Sequence, residues 1–212
     1  MKTILCFGDS NTYGYHPKTK KRYAETIRWT GRLQEKIHSY GWRVIEEGLC
    51  GRTTMLDGIH RENRNGAAVL PMLLETHMPL DAVILMLGTN DCKTQFHATP
   101  EFIGAGITKL ISQIRAMNPS LPVLLISPIH LAQNIAEKDS AFSDGSVLVS
   151  HALKDVYAAI AKQEGCLFFA ASDYAEPSIA DGEHLDAEGH RRLAEQIFTV
   201  LQPLLYGKES KT

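Results

Sequence analysis

An α/β fold, with a parallel sheet covered by helices on both faces, is what this sequence predicts. Three observations carry that expectation. Short apolar runs alternate five times with longer amphipathic segments, the pattern of strand–helix units joined by crossovers. Four of the five runs are close to continuously apolar, as strands buried on both faces must be. No internal repeat and no linker rich in Pro, Gly or Ser divides the 212 residues, so a single domain over 1–212 is expected.

The first strand is read from "TILCF" (3–7) and the second from "WRVIEEGL" (42–49). The second is mixed in polarity, which suits a sheet edge. The third, fourth and fifth are "LDAVILML" (80–87), "LPVLLIS" (121–127) and "CLFFAA" (166–171). Helical periodicity spans about 23–40, 66–78, 100–117, 147–164 and 187–205. In the third helix Ile103, Ile107, Leu110, Ile111 and Ile114 share one face. Gly41 and Gly165 end two helices and "NPS" (118–120) ends another, each by its turn preference. The long irregular stretches are about 8–22, 50–65, 128–146 and 172–186.

Composition narrows the function classes. The chain is 44% hydrophobic and 22% charged, ordinary for a globular protein. A net charge of −2 points to neither nucleic acid nor an anionic membrane as partner. No apolar run approaches the ~18 residues of a membrane span. The apolar run after Lys2 is too short for a signal-peptide core, so a cytoplasmic location is expected. Cys6, Cys50, Cys92 and Cys166 are scattered without a C-x-x-C, which favours neither zinc nor disulfides.

Ligands of open parallel sheets bind beyond the carboxyl ends of the strands, so the segments that follow the strands hold the candidate site. These are Gly8-Asp9-Ser10-Asn11, Gly48-Leu49-Cys50-Gly51-Arg52-Thr53-Thr54, Gly88-Thr89-Asn90-Asp91 and Asp181-Gly182-Glu183-His184. Together they bring a hydroxyl, an amide, a histidine and an acid to one sheet edge. That set suits acyl transfer. Ser10 would be the nucleophile, His184 its base, and Asp181 the group that holds the histidine tautomer. The N–H groups of Ser10 and Gly51 and the side-chain amide of Asn90 would receive the oxyanion. Each segment alone reads equally well as a turn, since Gly, Asp, Ser and Asn are the usual turn formers; the ordered set of four favours a site.

These segments resemble the four blocks of the SGNH hydrolases, also called the GDSL esterase/lipase family: "FGDSNTYGY", "GLCGRTT", "LGTND" and "DGEH". Ser10, Gly51, Asn90 and His184 match the residues of the family name. "RWTGRL", "VIEEGL" and "GRTT" further resemble its arylesterase and acyltransferase branch. The resemblance runs from residue 3 to about 190. It implies a three-layer α/β/α, flavodoxin-like fold with a five-stranded parallel sheet. It implies a cofactor-independent serine esterase acting on short acyl or aryl esters, with acyl transfer to alcohols as a second outcome and homo-oligomers as the common assembly. A carbohydrate acetyl esterase or a non-catalytic binding module on the same fold are the alternatives. A flavodoxin-like nucleotide binder is disfavoured because no G-x-x-x-x-G-K-[ST] is present, and a metal hydrolase because no H-E-x-x-H or dense histidine cluster is. Three residues depart from the pattern. Asn11 replaces the name-giving Leu, Cys50 a frequent Ser, and Glu183 a usually apolar residue.

The segment "DGEHLDAEGH" (181–190) poses a choice, because it offers two acid–histidine pairs. Asp181 and His184 fall in a loop. Asp186 falls at a helix N-cap, with Gly189 as the donor to its carboxylate. His190 shares the core register of Leu193, Ile197, Leu201 and Leu204. The first pair is therefore expected to be chemical and the second structural. Further substrate-binding candidates are Asn11, Arg52, Trp29 and His130. Against them stand an ion pair of Arg52 with Asp9 or Asp91, a core position for Trp29, and a backbone-bonded loop histidine at 130. Cys50 and Cys92 are read as small packed residues or a regulatory thiol pair. "EKDSAFSDGS" (137–146) is read as a solvated loop or a lid.

Overall fold

The computed structural model describes residues 1–58 and 61–206. In chain order they form β1 (Lys2–Gly8), the one-turn α1 (Ser10–Tyr13), α2 (Trp29–Ile37), β2 (Trp42–Gly48), α3 (Gly66–His77) and β3 (Ala82–Met86). There follow α4 (Pro100–Met117), β4 (Val123–Ser127), the one-turn α5 (Ile135–Lys138), α6 (Asp144–Glu164), β5 (Leu167–Ala170) and α7 (Ala187–Leu205). All five strands are parallel, in the order β2-β1-β3-β4-β5. The chain therefore runs outward from β1 in both directions. The crevice between β1 and β3, where the order reverses, is where such sheets bind ligands.

The period of two along β1 explains the layers. Leu5 and Phe7 face one side, with Val83, Leu85, Val123 and Leu125, and pack on α3, α4 and α6. Ile4 and Cys6 face the other, with Ile84, Met86, Leu124 and Ile126, and pack on α2 and α7. The mixed strand β2 lies at an edge, and Trp42 is its one buried residue. The other edge strand, β5, is half-buried at Leu167 and Phe168.

Helix α7 shows which effects dominate. Leu193, Ile197, Leu201 and Leu205 are all buried, contributing on the order of 6–12 kcal/mol as an upper bound. Asp186 caps the helix by accepting from the Gly189 N–H at 2.8 Å, a contribution of about 1 kcal/mol. Apolar packing therefore docks the helix, and the cap sets where it starts.

Two boundaries differ from the sequence reading. The helix expected from residue 23 starts at Trp29. The Tyr23 N–H is instead bound by the Gly14 carbonyl at 2.7 Å, and the Tyr23 carbonyl by Arg28 Nη1 at 2.9 Å. A partner distant in sequence has overridden local helix preference. The helix expected from 147 starts at Asp144. Ser143 and Ser146 form a reciprocal capping box, so the end of "EKDSAFSDGS" is a helix start and its beginning is the end of α5.

Candidate active site

The site is assembled by loops that leave the carboxyl ends of the strands. β1 and β2 end in register at Gly8 and Gly48, and β1 meets β3 at Gly8 and Met86. Ser10 lies two residues after Gly8, as the first residue of α1, with the N-cap Asp9 Oδ1 accepting from the Asn11 N–H at 2.9 Å. A side chain at Gly48 is excluded, because its Cβ would lie 2.1 Å from the Tyr13 nitrogen. Glycine there lets α1 sit directly on the end of β2.

Ser10 Oγ lies 2.9 Å from His184 Nε2, and His184 Nδ1 lies 2.8 Å from Asp181 Oδ2. A hydroxyl donor on one side and a carboxylate acceptor on the other require the tautomer with its proton on Nδ1. Asp181 Oδ1 accepts from the N–H groups of Glu183 and His184, both at 3.1 Å, so the carboxylate is fixed before it meets the ring. Ser10 and His184 are almost fully buried. Tyr15, which sequence reasoning missed, covers the imidazole with ring centroids 4.4 Å apart. It closes the block "FGDSNTYGY" in an irregular segment, where no periodicity marks its role.

The electrostatics are one-sided. Burial by itself would lower the His184 pKa. The hydrogen bond to Asp181 and the negative charges of Glu183, Asp181 and Asp9 outweigh it and raise the pKa above the ordinary value. Glu183 is itself buried, with Oε2 3.8 Å from His184 Nδ1, and burial raises its carboxyl pKa. For Asp181 burial would also raise the pKa, but the hydrogen bond and charge of His184 hold it below the usual range.

Asn90 and Gly51 border the same small pocket. The Asn90 side chain is aimed by donation from Nδ2 to the Arg52 carbonyl at 3.1 Å, which leaves its second amide proton for another acceptor. Gly51 has φ +84°, a conformation natural to glycine and strained for other residues. Buried Asp91 ties this loop to the next one. It accepts from the Thr54 N–H at 3.0 Å and from Thr54 Oγ1 at 2.6 Å. Burial lifts the Asp91 carboxyl to about 7 and that of Asp9 to about 6.

The other candidates have partners within the protein. Asn11 is a brace, accepting from the Leu185 N–H at 2.8 Å and donating to the Glu183 carbonyl at 3.4 Å; it holds the histidine loop onto the serine loop and spends its amide doing so. Arg52 is buried over the Phe7 ring, with its guanidinium carbon 4.2 Å from the ring centroid. Its Nη1 donates to the carbonyls of Gly8 and Glu47, so it braces strand ends, and among the described residues it forms no ion pair with Asp9 or Asp91. Trp29 has no exposed surface and packs between α2 and α7, so it walls no ligand pocket. His130 stacks on His151 with centroids 3.8 Å apart, and no hydrogen bond joins it to Ser10 or His184. Cys50 and Cys92 are free thiols, and Cys92 is buried with its Sγ 3.4 Å from the Gly88 carbonyl. No group of three or more His, Cys, Asp or Glu side chains that could hold a metal occurs among the described residues. No described helix is long and apolar enough to cross a membrane.

Comparison with known proteins identifies the fold and the family. A carbohydrate acetylesterase from Sinorhizobium meliloti, Est24, is 37% identical and superimposes with a TM-score of 0.89, over 96% of this chain and 100% of that one. An aryl esterase of M. smegmatis is 36% identical, with a TM-score of 0.84 over 95% of this chain and 100% of that one. A lipolytic protein of the G-D-S-L family from Veillonella parvula, at 16% identity and a TM-score of 0.72 over 94% of this chain and 98% of that one, shares the fold. No curated protein matches significantly by sequence. The GDSL-like lipase/acylhydrolase family model matches residues 6–192, and the chain belongs to that family.

Proposed function

We propose that this chain is a serine esterase that cleaves short acyl or aryl esters through an acyl-enzyme on Ser10. The observation that carries this reading is the unbroken line from Ser10 Oγ through His184 to Asp181, at 2.9 and 2.8 Å, beside Gly51 and Asn90. A binding module on this fold has no use for a serine whose proton can pass to a tautomer-fixed histidine.

The steps follow from the geometry. Ser10 Oγ attacks the ester carbonyl carbon while His184 Nε2 takes its proton. The carbonyl oxygen becomes an oxyanion, which the N–H groups of Ser10 and Gly51 and Asn90 Nδ2 receive. The C–O bond to the leaving alcohol breaks as His184 returns the proton to that oxygen. A water molecule then gives its proton to His184 and attacks the acyl carbon, releasing the acid and restoring Ser10. An alcohol in place of water makes the same step an acyl transfer. Asp181 stays ionised throughout and stabilises the imidazolium.

Acetylated sugars and aryl esters are both within this reading, since relatives carry each description. Acetate esters should be cleaved faster than octanoate esters by kcat/KM, because no long apolar segment lies in the loops around the site. The chain acts as one catalytic unit over 1–212 in the cytoplasm. Its self-association into a homo-oligomer is part of the same reading, as the family resemblance implies.

The test is covalent. An organophosphonate should label the enzyme once, on the peptide that contains Ser10. A label on any other peptide would overturn the assignment.

A further inference from the structure

The pocket that borders Gly51 and Asn90 has a volume of about 210 Å3, and three cationic side chains line it: Arg61, Arg64 and Lys93, with Phe96 as its apolar wall. The chain as a whole carries a net charge of −2, so this concentration of positive charge is local. Among the described residues none of the three forms an ion pair with a carboxylate, whereas Arg22, Arg28, Arg191 and Arg192 all do. Arg64 is committed at Nε to the Cys50 carbonyl at 2.9 Å and at Nη1 to the Glu62 carbonyl at 2.7 Å, which fixes its guanidinium in place. Lys93 extends over the Phe142 ring, with Nζ 5.6 Å from the centroid. Three cations gathered at one pocket, with only Lys93 under the field of a buried carboxylate, Glu183, favour the arrival of a further anion. Guanidinium groups suit a planar carboxylate in particular.

We propose that this pocket binds a carboxylate carried by the ester substrate, so that the enzyme prefers esters bearing a second, free acid group. The proposal rests on the serine esterase reading above and names its substrate class. The pocket shares Gly51 and Asn90 with the oxyanion site, so a carboxylate seated there holds the ester carbonyl against its donors. Two further observations agree. Burial lowers the Arg64 pKa, and the positive charge of Arg61 lowers it further, so Arg61 lies within electrostatic reach of Arg64. Lys93 favours the charged form of Glu183 beside the catalytic histidine, which sets the pocket within electrostatic reach of the Ser10–His184 pair. The carboxylate can stand on either side of the scissile bond, and substrates distinguish the two.

The test compares each acid with its own methyl ester. For the leaving side the pair is 4-acetoxybenzoate and methyl 4-acetoxybenzoate. For the acyl side it is phenyl hydrogen glutarate and methyl phenyl glutarate. The ratio of kcat/KM, acid over methyl ester, is measured in the wild type and in the Arg61→Gln, Lys93→Gln double variant. Taking the ratio between enzymes cancels intrinsic reactivity. In at least one pair it should fall by about tenfold or more in the variant, the usual scale for charge pairs at a binding site, and added salt should erode the wild-type ratio. The charge-keeping Arg61→Lys, Lys93→Arg variant should retain the preference, which separates charge from misfolding. If the methyl esters are cleaved but neither ratio changes, the carboxylate pocket is overturned and the esterase reading stands. If no ester is cleaved, the esterase reading fails. Calorimetry with benzoate then decides the pocket: binding lost in the Gln variant sustains it, and equal or no binding overturns it.

Discussion

Two acid–histidine pairs lie within ten residues of each other, and they behave in opposite ways. His184 sits in a loop, bonded to Asp181 and to Ser10, and its pKa is raised. His190 sits one helical turn into α7, has no exposed surface, and accepts from the Trp29 N–H through Nδ1 at 3.3 Å. Its pKa is depressed to about 3, by burial first and then by the charges of Arg32 and Arg28. Burial acts on both rings in the same direction. What separates them is the sign of the neighbouring charge, with carboxylates of Asp181, Glu183 and Asp9 around one and guanidinium groups around the other. An acid three or four residues from a histidine is therefore no sign of a catalytic pair. Asp186 spends its carboxylate on the helix cap, and His190 remains a neutral packing residue.

The largest test of this contrast removes each ring. His184→Ala and Asp181→Asn should each lower kcat by about 10⁴-fold or more, the scale on which a triad member matters. His190→Ala should keep kcat per folded molecule and lose about 1–3 kcal/mol of stability, as a truncated core residue does. Circular dichroism, melting and steady-state kinetics on the three variants decide it. A folded, inactive His190→Ala beside an active His184→Ala would reverse the contrast.

Next in size is the oxyanion side. Asn90→Ala should lower kcat by about 10²–10³-fold with little change in KM, because its amide strengthens its contact only as charge develops. An unchanged kcat would remove Asn90 from the transition state.

The raised His184 pKa gives a pH prediction. The base must be neutral, so kcat/KM should rise with pH through a value above the ordinary histidine pKa. Glu183 is one of the groups that raise it. In Glu183→Gln that negative charge is gone, imidazolium is less favoured, and the acidic limb should move to lower pH. A limb that stays in place, or moves up, would show that Asp181 and Asp9 alone set the value.

The smallest effect belongs to the second acid. Asp186→Ala should cost about 1 kcal/mol of stability by leaving the Gly189 N–H uncapped, with kcat/KM intact. Chemical denaturation measures the first and an ester assay the second. A matching loss of activity would mean that the end of α7 and the His184 loop are mechanically coupled.

Much of the fold was legible because it depends on periodicity. Continuous apolar runs marked the strands, the mixed run marked the β2 edge, and the helical register of α7 put His190 on the face that meets the core. Ser10, Gly51, Asn90, Asp181 and His184 were legible as ordered blocks after strands, since short segments at strand ends have only one edge to gather on. The further binding candidates share a different property. Trp29, Arg52 and Asn11 have side chains that suit binding, but each is occupied by partners far away in sequence: the α2–α7 core, the carbonyls of Gly8 and Glu47, and the 183–185 backbone.

By itself the sequence determined the strand and helix order, the direction of the sheet and the choice of candidate acyl-transfer residues, because these follow from local chemistry and from spacing along the chain. Only the tertiary structure decided the electrostatics. Glu183, read from sequence as either a neighbour of the histidine or a solvated acid, is buried 3.8 Å from it. Tyr15 covers the same ring, and Arg61, Arg64 and Lys93 meet at one pocket across roughly thirty residues of chain. Charge and burial depend on distances through space, and those exist only once the loops have been laid against each other.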